Sequence, residues 1–326
     1  MTQPAAAPPA SRRPALPSLS TLGPLIALLL ACIFFATQSD RFLTGSTLSL
    51  VLKQISFVAV IAIGQTLVIL TAGIDLSCGV IMALGSMIMT KFAVELGVPP
   101  GLAILAALAV TTAIGAMNGV LITRLRLPPF IATLGMYGIV FAATQIYSNA
   151  QTVSNLPPTL NFLGQTFNVF GTDFTYGAVL MLLLFGLAWF FLTQTAPGRH
   201  VYAVGNNPEA VRLSGISTTR LLIGVYAVAG LLYGVAALIL VGRVGAGDPN
   251  AGQTENLESI TAVVLGGTSL FGGRGNVLGT LLGALIVGVF RVGLTLSGVN
   301  SVYQILITGV LIILAVATDQ FSRRKA

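Results

Sequence analysis

Few side chains in this sequence can do covalent chemistry. It holds one histidine, His200, two cysteines, Cys32 and Cys78, and nine Asp and Glu among 326 residues. They do not cluster at the spacings that would gather metal ligands or a nucleophile with its base and orienting acid, so no catalytic residue and no metal site is assigned. Hydrolysis of a nucleoside triphosphate needs a glycine-rich loop ending in Lys-Ser or Lys-Thr, and Lys53, Lys91 and Lys325 have other neighbours. Gly273-Arg-Gly-Asn-Val-Leu-Gly279 is superficially like a phosphate loop, but its third glycine is misplaced and it joins two apolar runs rather than a strand and a helix. The carboxylate deepest among the apolar runs is Asp75, in Gly73-Ile-Asp-Leu-Ser77. An ionisable group there lines a pathway or pairs with an arginine such as Arg274; alternatively, since it precedes an apolar helix, it caps free N–H groups.

The elements around these residues follow from composition. Hydrophobic residues make up 55% of the chain and charged ones 8%, where a soluble domain carries about 25% charged residues. Mean hydropathy is +0.93, and the apolar residues come in runs about as long as a helix needs to cross ~30 Å of hydrocarbon. Lipid is therefore the solvent. Backbone groups in hydrocarbon must pair within the chain, and runs without alternation exclude a barrel, so the fold is read as an all-α polytopic membrane protein. Spans are expected near 22–37, 52–71, 78–92, 101–123, 129–147, 176–194, 221–242, 257–271, 276–296 and 301–318, about ten in number. The eighth is short, and Gly79, Gly266, Gly267, Gly272, Gly273 and Gly275 suggest breaks or partial helices. Cys32 and Cys78 read as small core residues.

Residues 1–20, rich in Pro, Ala and Ser, are expected to be a disordered cytoplasmic tail, 21–320 a single membrane domain, and 321–326 a basic tail. Arg12-Arg13 and Leu29-Leu30-Ala31-Cys32 are similar to export and lipoprotein signals, but the apolar run continues past Cys32, which favours a retained first helix. The net charge of +7 is scattered between apolar runs, which argues for topology and against nucleic acid. With the N-terminus inside, the inner segments hold Arg12, Arg13, Arg124, Arg126, Arg199, Arg212, Arg220, Arg274, Arg323, Arg324 and Lys325. The outer ones hold Arg41, Lys53, Lys91, Arg243 and Arg291, and the 148–175 loop has neither Lys nor Arg. Both termini are thus expected in the cytoplasm. The pairs Gly115/Gly119, Gly230/Gly234 and Gly279/Gly283 fit close helix packing. A short similarity between the segments beginning Gly73-Ile-Asp-Leu and Gly267-Thr-Ser-Leu hints at an internal repeat.

The longest inward loop, 195–220, carries a compact helix signal. Asn207 can cap, Pro208 suits the first helical position, Glu209 complements the positive end, and Gly215 can close the helix. Ala210 and Leu213 share one face, Glu209 and Arg212 another. A helix this short is not stable alone, and it is either a surface turn between two spans or a docking element.

The run from Gly198 to Ile216 resembles the cytoplasmic coupling segment of ribose-type sugar permeases of the ATP-binding-cassette superfamily. Gly64–Ser77, Asn118–Ile122 with Pro128–Gly135, and Ala262–Gly275 match the same family pattern in order, and the resemblance covers about 42–318. It implies a fold like the cobalamin-importer (type II) permeases, in the bacterial inner membrane. It also implies a second permease chain, identical or not, two cytoplasmic ATP-binding subunits and a periplasmic sugar-binding protein. ATP and magnesium would belong to the ATPase partner, with no cofactor in this chain. The helix formed by Asn207, Pro208, Glu209, Ala210, Arg212, Leu213 and Gly215 would dock into the ATPase and transmit its closure. A path for neutral, hydroxyl-rich sugars needs weakly bonding side chains. Gln65, Thr66, Asp75, Asn118, Thr133, Tyr137 and Gln145 are candidates, each able instead to bond a neighbouring helix. The competing readings are an ion-coupled secondary transporter, for which Asp75 is the sole weak candidate, and a membrane-embedded enzyme, whose constellation is missing.

Overall fold

The computed structural model describes residues 19–300 together with 302–304, 306–307, 309–310 and 313, with side chains from residue 23 onward. The expected tails at 1–20 and 321–326, and most of the span expected at 301–318, lie outside the described residues.

The elements follow the apolar runs. In chain order they are α1 (Leu19–Gln38), α2 (Gly45–Leu70), α3 (Cys78–Val94), α4 (Pro100–Arg124), α5 (Pro129–Ser148), a single turn α6 (Pro158–Asn161), strands β1 (Thr166–Val169) and β2 (Thr172–Thr175), α7 (Tyr176–Gln194), α8 (Ala196–Asn206), α9 (Pro208–Leu213), α10 (Thr218–Val244), α11 (Glu255–Leu265) and α12 (Val277–Leu296). Six of these, α2, α4, α5, α7, α10 and α12, are long and apolar enough to cross a membrane, while α3 and the Gly23–Gln38 part of α1 are shorter apolar helices. Local chemistry sets the boundaries. Thr44, Thr175, Thr195, Ser217 and Asn276 each accept a backbone N–H at a helix start, and Pro100 and Pro129 open α4 and α5.

The core sits on α2. From Ile55 to Leu70 every residue of this helix is buried, so it is enclosed on all sides. Helix α10 packs on it, with Gly64 of α2 fitting against Ala229 and Tyr233. Outside lie α4, α5 and α7, whose outward faces present Leu102, Leu105, Ile131, Leu134, Leu183 and Leu187. All three glycine pairs serve close packing. A Cβ at Gly115 would lie 3.0 Å from the Gly230 Cα, one at Gly119 2.7 Å from the Ile223 Cα, and one at Gly283 2.8 Å from Gly266 N. In hydrocarbon, where lipid tails compete equally for apolar side chains, such contacts supply the packing that holds helices together.

Three expectations are corrected. The fold is not purely helical: β1 and β2 form an antiparallel hairpin inside the 148–175 loop, with Val169 opposite Thr172. Its two-residue turn places Phe170 at φ +49° and Gly171 at φ +80°, the twist that suits a tight hairpin, and the Asn168 side chain accepts the Gly171 N–H at 3.0 Å. The eighth span is the partial helix its glycines suggest, and the correction is to its end, which falls at Leu265 and not at 271. Gly267, Gly272 and Gly273 after it adopt positive φ, which ends the helix and carries the chain through a non-helical loop to α12. The 195–220 loop holds not one helix but two, because the Thr195 side chain accepts the Gly198 N–H at 3.1 Å and starts α8 ahead of α9.

Candidate functional site

The α8–α9 pair is built from local signals and then fixed by tertiary contacts. Asn207 caps α9, its Oδ1 accepting the Ala210 N–H at 3.0 Å. Pro208 takes the first position, and Gly215, at φ +85°, ends the segment with its N–H on the Arg212 carbonyl at 3.0 Å. Arg212 Nη2 lies 2.5 Å from Glu209 Oε1, and this hydrogen bond and charge hold the Glu209 carboxyl below the ordinary carboxylate range. Val211 alone in α9 is buried. Ala210 is exposed and Leu213 is 77% exposed, so the apolar face points outward. Burying one leucine against a partner is worth about 1.5–3 kcal/mol.

Helix α8 carries this platform. Gly198, Val201 and Val204 are its buried face. At its C-terminal end the Asn206 Nδ2 donates to the Gly273 carbonyl at 3.3 Å, and the Tyr202 hydroxyl donates to the Gly275 carbonyl at 3.2 Å. Burial pushes the Tyr202 phenol up, which keeps it protonated as a donor. The Gly273 N–H in turn donates to the carbonyl of Leu70, the last residue of α2, at 2.9 Å. A Cβ at Gly205 would meet Gly273 N at 2.5 Å, and one at Gly272 would lie 2.8 Å from the Ala72 Cβ. The end of α2, just ahead of Gly73, therefore touches the glycine loop after α11, and both meet α8 at Gly205.

The polar side chains expected in a pathway occupy two different settings. Gln65, Thr66, Asp75, Asn118 and Thr133 are wholly buried within the chain. The Asp75 carboxylate accepts from Ser77 N at 2.9 Å, from Ser77 Oγ at 2.6 Å and from the Tyr233 hydroxyl at 3.2 Å, and the partners the structure gives it do not include Arg274. The N–H it accepts belongs to Ser77, the residue before α3, so the bond closes a turn ahead of that helix and is not a cap on its first turn. Asn118 donates to Ser77 Oγ at 2.9 Å, the Thr133 hydroxyl lies between the Ile74 carbonyl at 3.0 Å and the Pro129 carbonyl of its own helix at 2.9 Å, and Gln65 donates to the Asp75 carbonyl and to Cys78 Sγ at 3.2 Å. Thr66 donates to the Ala62 carbonyl at 2.7 Å, which leaves Thr280 as the donor in their 2.8 Å contact. Together these bonds stitch α2, α4, α5 and α10 around the non-helical stretch 71–77. Tyr137 and Gln145 differ. With Phe141 they form a half-buried stripe on α5 at four-residue spacing. Tyr137 stacks on Phe141 with ring centroids 6.2 Å apart, and Gln145 donates to Asn250 Oδ1 at 3.0 Å and the Pro249 carbonyl at 3.2 Å.

Residues 47–316 match the family model described as branched-chain amino acid transport system / permease component. The chain is 49% identical over 309 residues to the fructose import permease protein of Rhizobium meliloti, covering 93% of this chain and 86% of that one. It is 39% identical over 306 residues to the ribose import permease protein of Bacillus subtilis, covering 93% of each. This chain belongs to the ribose-type permeases of the ATP-binding-cassette family. It is also 34% identical over 297 residues to the D-allose transport system permease protein of Escherichia coli, covering 90% of each. No solved structure matches it.

Sequence reasoning about this permease missed several residues. Tyr202 and Asn206 lay in a stretch read as loop, and only the alternation of Val201 and Val204 with polar neighbours signals a helix there. The Glu258–Arg291 ion pair, at 3.1 Å, joins α11 to α12 with the Glu258 side chain 15% and the Arg291 side chain 40% exposed. Arg243 stands 5.3 Å over the Phe57 ring in the same region. A partner 33 residues away leaves no local signature.

Proposed function

We propose that this permease is the membrane-spanning subunit of an importer that carries a simple sugar, a pentose or hexose, across the bacterial inner membrane, driven by separate ATPase subunits. The sugar class is supported by relatives named for fructose, ribose and D-allose import. In this reading about ten helices, both termini in the cytoplasm and a type II architecture form one half of a dimeric translocation path, with an identical or a different second chain. A periplasmic binding protein delivers the sugar, and ATP and magnesium are bound by two cytoplasmic partner subunits. Tyr137 and Gln145 on α5 offer the accessible neutral hydrogen-bonding groups for a sugar path. Gln65, Thr66, Asp75, Asn118 and Thr133 brace the frame behind them.

The observation that carries the coupling role is the outward apolar face of α9. Leu213 and Ala210 are held out by a capped, ion-paired two-turn helix whose own core contact is Val211 alone. A partner surface gains contact area there without unfolding anything. The test is site-directed cross-linking: a photoreactive residue at Leu213 is expected to capture the ATPase subunit in the assembled complex, and the same residue at the exposed Leu183 of α7 is not. Equal capture from both positions, or none from Leu213, would sink the docking assignment.

A further inference from the structure

We infer that Tyr202 and Asn206 are positioning residues that carry movement of α9 into the membrane domain, by clamping α8 to the glycine loop 272–275 and through it to the end of α2. This rests on the docking role proposed for α9. The geometry is a continuous chain of contacts. Asn207 ends α8 and caps α9, so the two helices share a junction of one residue. One residue earlier, Asn206 donates to its own helix at the Tyr202 carbonyl, 3.2 Å, and to the Gly273 carbonyl, 3.3 Å. One turn earlier still, Tyr202 donates to Gly275 at 3.2 Å. Gly273 uses its N–H on Leu70 at 2.9 Å.

The loop these bonds grip is the connection between α11 and α12, and it is suited to respond. Gly272, Gly273 and Gly275 have φ of +83°, +70° and +157°, conformations glycine adopts without steric cost. The sites where added Cβ atoms would collide fall on both sides of the clamp. Gly205 faces Gly273 N, Gly273 faces the Asn206 side chain, and Gly272 faces the Ala72 backbone. Backbones packed this closely transmit a push from α8 to the loop, whereas a pull away from it is carried by the hydrogen bonds of Tyr202 and Asn206. The far end of α11 is pinned to α12 by Glu258 and Arg291. Helix α11 is tied to α12 at both ends, by Glu258 and Arg291 at one and by the close approach of Ala262 and Gly266 to Gly279 and Gly283 at the other, so the loop would carry α11 and α12 together. Tyr202 and Asn206 supply a polar grip of α8 on that loop, and removing them should let α8 and α9 draw away while the loop and α11 stay.

The experiment uses the full complex, reconstituted in vesicles with its ATPase subunits and binding protein, and reads sugar transported per ATP hydrolysed. Tyr202→Phe removes one hydroxyl and keeps the ring. Asn206→Leu removes both donors at similar volume. The expected result is assembly and ATP hydrolysis within about twofold of the unaltered complex, with transport per ATP at least about threefold lower for Tyr202→Phe and at least about tenfold lower for the double variant. Unchanged transport per ATP in assembled complexes would overturn the relay. If Asn206→Leu fails to assemble, Tyr202→Phe alone decides, and an unchanged ratio there overturns it equally. Failure of the underlying docking role has a different signature: Leu213→Asp would leave ATPase capture and transport intact.

Discussion

Gly119→Ala is a single methyl placed where two helices have no room for it. Its Cβ would sit 2.7 Å from the Ile223 Cα and 3.4 Å from the Ile223 N and O. Carbon atoms pack at about 3.5–4.0 Å, so α4 and α10 would have to part by about 0.8 Å at that level. The neighbouring contact is the Gly115–Gly230 approach, where an added Cβ would collide with the Tyr226 carbonyl and lie 3.0 Å from the Gly230 Cα, and the same separation would loosen it. Overpacking of this kind costs about 1–3 kcal/mol. Alanine returns about 1 kcal/mol through its better helix propensity, so the net loss is about 0–2 kcal/mol, up to about 30-fold in the folded population, and about 1–3 kcal/mol relative to a glycine site where the methyl has room. The comparison is Gly224→Ala on α10 itself, where no atom lies within 4 Å of the added Cβ and a small gain is expected. Denaturant titration of both variants in detergent, followed by helical circular dichroism, measures the difference. A Gly119→Ala permease as stable as the Gly224→Ala one would refute the close-packed interface.

Asp75→Ala would strand the Ser77 N–H, the Ser77 hydroxyl and the Tyr233 hydroxyl, and a loss of about 2–4 kcal/mol is expected in the same titration; an unchanged midpoint would mean these groups find other partners. Glu258→Gln would remove the charge that pairs with Arg291 and leave it one amide oxygen as acceptor, with about 1 kcal/mol lost after allowing for the exposure of Arg291, read as a lower denaturation midpoint. Glu209→Arg reverses charge on α9 and breaks its pair with Arg212, so ATP-dependent uptake should fall with no change in helical content; normal uptake would argue against docking at this face. The lowered Glu209 carboxyl predicts pH behaviour. A depressed folded-state value means its contribution is present above its ordinary range and lost only as acid titrates it, so ATPase capture should be flat between about pH 6 and pH 8. A steep fall across that window would place the responsible group elsewhere.

What was legible in the sequence was local. The Asn207 cap, Pro208 and Gly215 define α9 because each acts on backbone groups within a few residues, and the apolar runs define the long helices because lipid demands their length. The short eighth span announced itself through Gly266 and Gly267. What escaped depends on contacts between distant segments. Helix α8 is held by Leu70 and Gly273, the hairpin by a turn at Phe170-Gly171 inside a loop that looked featureless, and Glu258 by Arg291. Gln65, Asn118 and Thr133 were visible as polar residues in apolar runs, but composition says nothing about whether such a side chain faces a path or a neighbouring helix. Their bonds to Asp75, Ser77 and Ile74 show which neighbours each of them holds in this chain.

Energy coupling in sugar uptake separates an ATP-driven importer from an ion-coupled carrier most directly. Vesicles carrying the permease with its ATPase and binding protein would be given labelled fructose, ribose, allose and galactose, with and without internal ATP and with an ionophore. The prediction is uptake of at least one of these sugars that requires ATP and both partners and survives collapse of the ion gradients. Uptake by the permease alone that vanishes with the ionophore would contradict it, and would make the chain an ion-coupled transporter.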